Sequence, residues 1–342
     1  CLTYLNSRTT TSIYSMNELL DHDTRVATMT GGMVPDAPNF GGSERLHPDG
    51  RPKGEFRDEL RRIPNLKNSW TVLSSLLTPI FLIWGAITVN HPLSWVAAAL
   101  LMGISQNRLF ILHHEAAHRT LFSNRKINDF IGINVIGLLT FGTGSHGYRI
   151  GHMNHHRDEF GPKEPDFLLY SFYPISKSSM RRKVIRDATG VSAFRILRPR
   201  FQRLNESRHR KLTMMFLFGQ GTVFLIFALV GHPWLYLFLW IAPWAFIYQV
   251  LNRLRAIAEH GGMTRAKDRR CTTHQVNQSL LARALMTPVG VGYHLAHHVD
   301  MTVPWRNLPR LHQALVEDGY LTKELIWPNY RTLWKSMLKS AG

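Results

Sequence analysis

Cysteine is almost missing from this chain. Cys1 and Cys271 are the two present in 342 residues, which excludes a disulfide framework and any Cys-x-x-Cys metal site. Acids are scarce as well: 23 Asp and Glu face 41 Lys and Arg, a formal charge of +18. Such an excess suits either a nucleic-acid partner or the positive side of a membrane protein. Residues 1 to about 50 lack hydrophobic periodicity and are rich in Thr, Ser, Gly, Asp and Pro, so 1–55 reads as a disordered segment without a signal-peptide pattern. Within it, His47-Pro48-Asp49-Gly50 reads as a turn. No repeat of solenoid period occurs.

The apolar runs decide for the membrane. A spanning helix needs about 20 mostly apolar residues. Runs at 70–89, 93–112, 212–230 and 234–251 meet that length, paired by Asn90-His91-Pro92 and Gly231-His232-Pro233 into two hairpins. Neither hairpin tip carries Lys or Arg, whereas 177–211 carries 12 against two acids. The positive-inside rule then puts that basic stretch and both chain ends in the cytoplasm. Val184, Ile185, Phe194, Ile196, Leu197, Phe201 and Leu204 are interleaved with those charges, the pattern of surface helices on anionic lipid. The run 127–143, broken by glycines and polar residues, is too short for a span and reads as interfacial or re-entrant. A fifth span there would also separate the histidine clusters described next. Leu308, Leu311, Leu315 and Val316 fall at helical spacing in a C-terminal amphipathic part. The expected fold is all-α: four transmembrane helices in two hairpins under a helical cytosolic cap, as one domain over 56–342.

Half of the 18 histidines fall in three boxes and one lone site: His114-Glu-Ala-Ala-His118, His152-Met-Asn-His155-His156, His294-Leu-Ala-His297-His298, and His260. Imidazole is the commonest protein ligand for a transition metal. Box one alone is also the His-Glu-x-x-His signature of zinc metalloproteases, with Glu115 as general base. A mononuclear zinc site leaves the other two boxes unexplained. On a helix, positions i, i+3 and i+4 share a face, so each longer box is expected to deliver three imidazoles to one locus. Nine nitrogens overfill any single first-row ion, whereas two ions with four or five each fit. Imidazole alone leaves iron, copper, nickel and zinc open. A two-ion site at a membrane face is best suited to iron and O₂.

Metal-bound imidazoles need an acceptor for the other ring N–H. Glu115, Asp158, Asp166 and Asn252 are candidates. His113 points about 100° away from His114 on a helix and is left out. His146, His274 and His312 read as surface or supporting groups, and Asn154 lies off the ligand face.

Taken together, the three boxes in order, the two apolar hairpins, Phe122-Ser-Asn-Arg125 after box one and Val303-Pro-Trp-Arg-Asn-Leu-Pro-Arg-Leu-His312 after box three resemble the membrane fatty acid desaturase family over about residues 60 to 315. The resemblance implies two Fe ions held by His114, His118, His152, His155, His156, His260, His294, His297 and His298, with no catalytic group beyond them. It implies a fatty acyl lipid as substrate, O₂, and two electrons from a separate ferredoxin- or cytochrome-type donor, with no fused haem or iron–sulfur domain. Two hydrogens then leave adjacent carbons and a double bond remains. Nucleic acid is not an expected partner. Some relatives acting on acyl-CoA carry an Asn one turn before the lone histidine; here that position is Ala256, with Asn252 a turn further back, which favours a lipid-linked or other substrate. Hydroxylases and ketolases of alkyl, sphingoid and carotenoid substrates share the boxes and remain the alternative, and an intramembrane zinc protease is the remote one. Which product forms depends on sub-ångström placement of the chain.

Overall fold

A computed structural model describes residues 20–339. It is mostly helical, and its two strands are two-residue pieces, Gln275–Val276 and Ile326–Trp327, paired in parallel. Helices α1 (Asn65–Val89) and α2 (Pro92–Ala117) form the first hairpin. Asn90 takes the left-handed conformation (φ 46°), His91 accepts the Leu93 N–H at 3.2 Å, and Pro92 opens α2 where its missing N–H costs nothing. Box two lies on α3 (Gly147–Arg157). The second hairpin starts with α4 (Ser207–Leu229). Trp95 and Trp234 meet edge to face at 5.2 Å and join the two hairpin tips.

The helix ending at Val89, Pro92–Ala117 and Ser207–Leu229 are long and apolar enough to cross a membrane. The fourth expected span is built differently. Residues 235–260 are helical throughout, but Leu237–Ile241 and Pro243–Tyr248 are π-helical before α5 (Gln249–His260) begins. Pro243 has no N–H to donate and its ring crowds the preceding turn, so the α ladder cannot pass it. Gln106 of α2 donates to the Trp240 carbonyl at 2.9 Å beside this break. Large apolar side chains such as Trp70, Trp84, Phe218, Leu229 and Leu237 stand exposed around the hairpins, far more apolar surface than water tolerates.

All four runs continue as helix beyond their apolar limits, and two of them reach residues of the histidine clusters. Thus α2 runs through box one to Ala117 and α5 ends on His260. The short run folds as Arg125–Ile127, Asn128–Ile136 (π) and Gly137–Leu139, lying along α2. Gly132 lets the backbones meet there: an added Cβ would stand 2.1 Å from that of Ala116. The basic stretch forms two helices, Lys177–Ala188 and Val191–Gln202, with Ile185, Phe194 and Ile196 exposed. In Leu308–Glu317, Leu308, Leu311 and Leu315 are buried, but Val316 faces outward because it follows Leu315 by a single residue.

The N-terminal segment differs from expectation over its described part. Residues 20–55 are ordered by partners far away in sequence, which local periodicity cannot register. Gly31 and Met33 N–H groups reach Met263 and Gly262 carbonyls at 3.0 and 2.8 Å, and Arg270 donates to the Pro38 carbonyl at 2.9 Å. His47–Gly50 is a turn, as read, and Gly50 (φ 81°) rests on the Tyr320 ring. The rest of the expected disordered segment, residues 1–19, lies outside the described residues.

Candidate metal centre

The nine histidines meet in two groups. His114, His118, His152, His156 and His297 form one, and His155, His260, His294 and His298 the other; within each group the ligand atoms lie within 4.8 Å of one another. His114 sits in the last turn of α2 and His118 caps it; box three lies on α6 (His294–Val299). The expectation that each longer box serves one locus needs correction. His155 leaves box two for the four-membered group, and His297 leaves box three for the five-membered one. Adjacent helical residues diverge by about 100°, so the i+3 and i+4 imidazoles of one box aim at different points.

The distances test whether a metal fits. Nε2 of His152 lies 2.8 Å from that of His118 and 3.1 Å from that of His156, and His156 Nε2 is also 3.1 Å from His297 Nε2. In the other group His294 Nε2 stands 3.0 Å from Nε2 of both His260 and His298. A ring nitrogen has one proton or one lone pair, so such convergent sets cannot all satisfy each other by hydrogen bonds. Nitrogens bound about 2.1 Å from a shared cation at right angles are about 3.0 Å apart. Buried His114 Nε2 has no hydrogen-bond partner among the described residues. Burial holds His152, His156, His294 and His298 well below the ordinary imidazole pKa, which leaves them neutral, as ligation requires. The residues present fit two transition-metal ions.

Acceptors stand behind several imidazoles. The Nδ1–H groups of His155 and His260 donate to Glu164 at 2.7 Å and to the Thr272 carbonyl at 2.9 Å. His298 Nδ1 meets Glu159, whose same oxygen takes Arg269 at 2.6 Å. Burial pushes the Glu159 carboxyl up to about 6, against the pull of Arg269. Glu115 stands 3.3 Å from His114 Nδ1 and accepts from Thr120. It is buried and does not line the adjoining cavity, so it lacks the access a protease base needs.

The other candidates are placed elsewhere. Asp158 pairs with Arg265 at the surface and reaches no imidazole. Asn252 accepts from Arg255 at 2.9 Å and lines the cavity, as does Asp166. His113 donates its Nδ1–H to the Gly132 carbonyl at 2.8 Å and packs, tilted, against Tyr148. His274 is buried between the Gly261 carbonyl and Trp327. His146 is exposed beside Arg149, and His312 packs on Tyr293. Sequence reasoning missed Glu159, Glu164 and Arg269. Their signal was two glutamates within eight residues of box two in an acid-poor chain.

A cavity of about 370 Å³ opens onto both groups, touching His114, His152, His155, His260 and His294. Tyr148 stacks on His152 (5.5 Å, 6°), and Tyr170 lies 4.8 Å from His260. Arg255, on the same wall, donates to Glu259 at 3.1 Å and to Asn252, leaving its buried Nε unpaired among the described residues. A second cavity of about 410 Å³ shares Phe110, Tyr148 and Asn252 with the first and continues past Phe141, Trp244 and Leu212.

A family model described as fatty acid desaturase matches residues 90–329. Dihydrorhizobitoxine desaturase of Bradyrhizobium elkanii is 26% identical over 249 residues, covering 67% of this chain and 70% of that protein. The chloroplastic sn-2 acyl-lipid omega-3 desaturase (ferredoxin) of Arabidopsis thaliana is 27% identical over 143 residues, 39% of this chain and 30% of its own length. An omega-3 fatty acid desaturase of Ricinus communis is 28% identical over 118 residues, 33% and 24% of the two chains. With this match over most of its length and its nine imidazoles in two facing groups, the chain belongs to the fatty acid desaturase family.

Proposed function

We propose that the protein is an O₂-dependent desaturase whose nine histidines hold two irons and whose substrate is a fatty acyl chain, lipid-linked or as a thioester. The observation that carries this reading is the division of nine imidazoles, seven buried and two half-buried (His118 and His152), into groups of five and four beside one cavity. Bound iron would supply O₂ reduction and the oxidising power to take hydrogen from an unactivated carbon. The protein's own part is positioning. Phe110 and Tyr148 form the wall between the two cavities, so a chain passing from one to the other presents a short stretch to the imidazole rims. Glu159, Glu164 and the Thr272 carbonyl fix the ring orientation of their imidazoles. Burial of the centre keeps water from competing.

The proposed topology has four spans, with the π-interrupted 235–260 stretch as the fourth. Both ends and the histidines lie on the cytoplasmic side, because the basic residues of 177–211 sit at the same end. Electrons come from a separate ferredoxin- or cytochrome-type protein, for which the basic face offers charge complementarity.

A second reading concerns the substrate. Arg255, Asp166, Asn252 and Tyr170 line the cavity beside the imidazoles, an unusual wall for a plain hydrocarbon. They favour a substrate with a polar group a few bonds from the reacting carbons, and one relative is named for dihydrorhizobitoxine rather than for a fatty acid. Expression in a host with only saturated lipid, followed by lipid and polar-metabolite profiling, tests both. A new double bond in acyl chains supports the main reading; an alcohol supports a hydroxylase; an unchanged lipid profile with a desaturated polar product supports the second reading.

A further inference from the structure

A third cavity, of about 430 Å³, lies between α1, α2 and the chain from 283 to 306, and shares no lining residue with the two beside the imidazoles. Three guanidiniums face it, Arg108, Arg283 and Arg306, and no carboxylate lines it. Among the described residues none of the three forms an ion pair. Their partners are neutral: Arg108 donates to Ser75 Oγ at 2.8 Å, Arg283 to the Tyr293 hydroxyl at 3.1 Å, and Arg306 to Asn68 Oδ1 at 2.9 Å. These bonds, with those of Arg306 to the Lys67 carbonyl and Thr71, use Nε and Nη2 only and leave the three Nη1 groups for another acceptor. Three like charges around one groove repel each other, and more strongly where protein and lipid replace water. An anion seated among them removes that cost, and guanidinium forks match phosphate geometry.

The remainder of the groove says what kind of anion. From the level of the arginines it continues along Leu82 of α1 and Leu101 and Ile104 of α2, both helices of membrane-spanning length. Leu101 lies seven residues before Arg108, about 10 Å along the axis at 1.5 Å per residue. Beside Arg283, the helix Leu280–Leu285 turns Leu280 and Leu281 outward, 84% and 67% exposed, as a segment resting on acyl chains does.

We propose that this groove is a binding site for one anionic glycerophospholipid, its phosphate held by Arg108, Arg283 and Arg306 and one acyl chain lying on Leu82, Leu101 and Ile104. The inference rests on the membrane-spanning reading of α1 and α2, not on the metal centre or the reaction. A head group of net negative charge is preferred over a zwitterionic one, because three cations face it without a protein acid.

The test uses the full-length, iron-loaded protein in a neutral detergent. Its unfolding temperature is followed while phosphatidylglycerol, phosphatidylcholine or inorganic phosphate is added. Phosphatidylglycerol is expected to raise Tm by about 3–6 °C at saturation, phosphatidylcholine by less than half of that, and inorganic phosphate by little. Arg283→Gln, at an exposed position, and the double variant Arg283→Gln/Arg306→Gln should lose the phosphatidylglycerol shift while keeping their bound iron. Equal shifts from both lipids, an undiminished shift in the double variant, or inorganic phosphate matching phosphatidylglycerol would each overturn the proposal. Iron content and product formation are separate readouts, so loss of the desaturase reading would leave this result standing.

Discussion

His156 and His298 stack ring on ring, 4.2 Å between centroids and 25° from parallel, although one faces the five-imidazole group and the other the four. This pair is a common wall of the two groups. Removing His297 or His155 takes one imidazole from one group, whereas His156→Ala takes one ligand atom and the surface against which His298 is packed. We expect His155→Ala and His297→Ala each to abolish turnover and lower bound iron, and His156→Ala to lower it further. Iron measured per purified chain, with circular dichroism to verify the helices, checks this; full activity in both His155→Ala and His297→Ala would remove the two-metal case.

Glu159→Gln keeps the size of the side chain but removes the charge that His298 and Arg269 share. Partners of this kind change metal affinity by about 10- to 100-fold. Iron retention against a chelator should fall by that order, and Glu164→Gln, behind His155, should act in the same direction. Wild-type retention in both variants would show that these carboxylates do not support the imidazoles.

Ala256 is buried and lines the cavity one turn before His260. Leucine at that position fills space a substrate would use without touching an imidazole partner. The expected result for Ala256→Leu is normal iron content with kcat/KM reduced about tenfold or more. Normal kinetics would place the substrate elsewhere.

Gly132→Ala probes how α2 is held. The new methyl would lie 2.1 Å from Ala116 Cβ, so one helix must move, at a cost of about 1–3 kcal/mol. His113 is bonded to the Gly132 carbonyl and precedes His114, so the shift reaches box one. A lower unfolding temperature with reduced iron retention is expected, and thermal unfolding in detergent reads it.

The boxes, the hairpin turns and the long helices were legible because each is a local pattern: an apolar run, a Pro-led turn, imidazoles at fixed spacing. The division of box two was not, since spacing fixes only the angle between His155 and His156, and the elements arriving from elsewhere decide what each meets. The π-helical break was hinted at by Pro243 alone. Order in residues 20–55 was invisible because those backbone bonds go to residues more than 200 positions away, such as Met263.

The sequence alone determined that nine imidazoles stand ready on helices next to apolar runs, because ligand type and helical phase are covalent and local facts. Tertiary structure decided how they divide five and four, which carboxylates stand behind them, and that Arg255 and Asp166 line the adjoining cavity. Those relations join residues from distant parts of the chain, and only the packing of the helices against one another sets the distances between them.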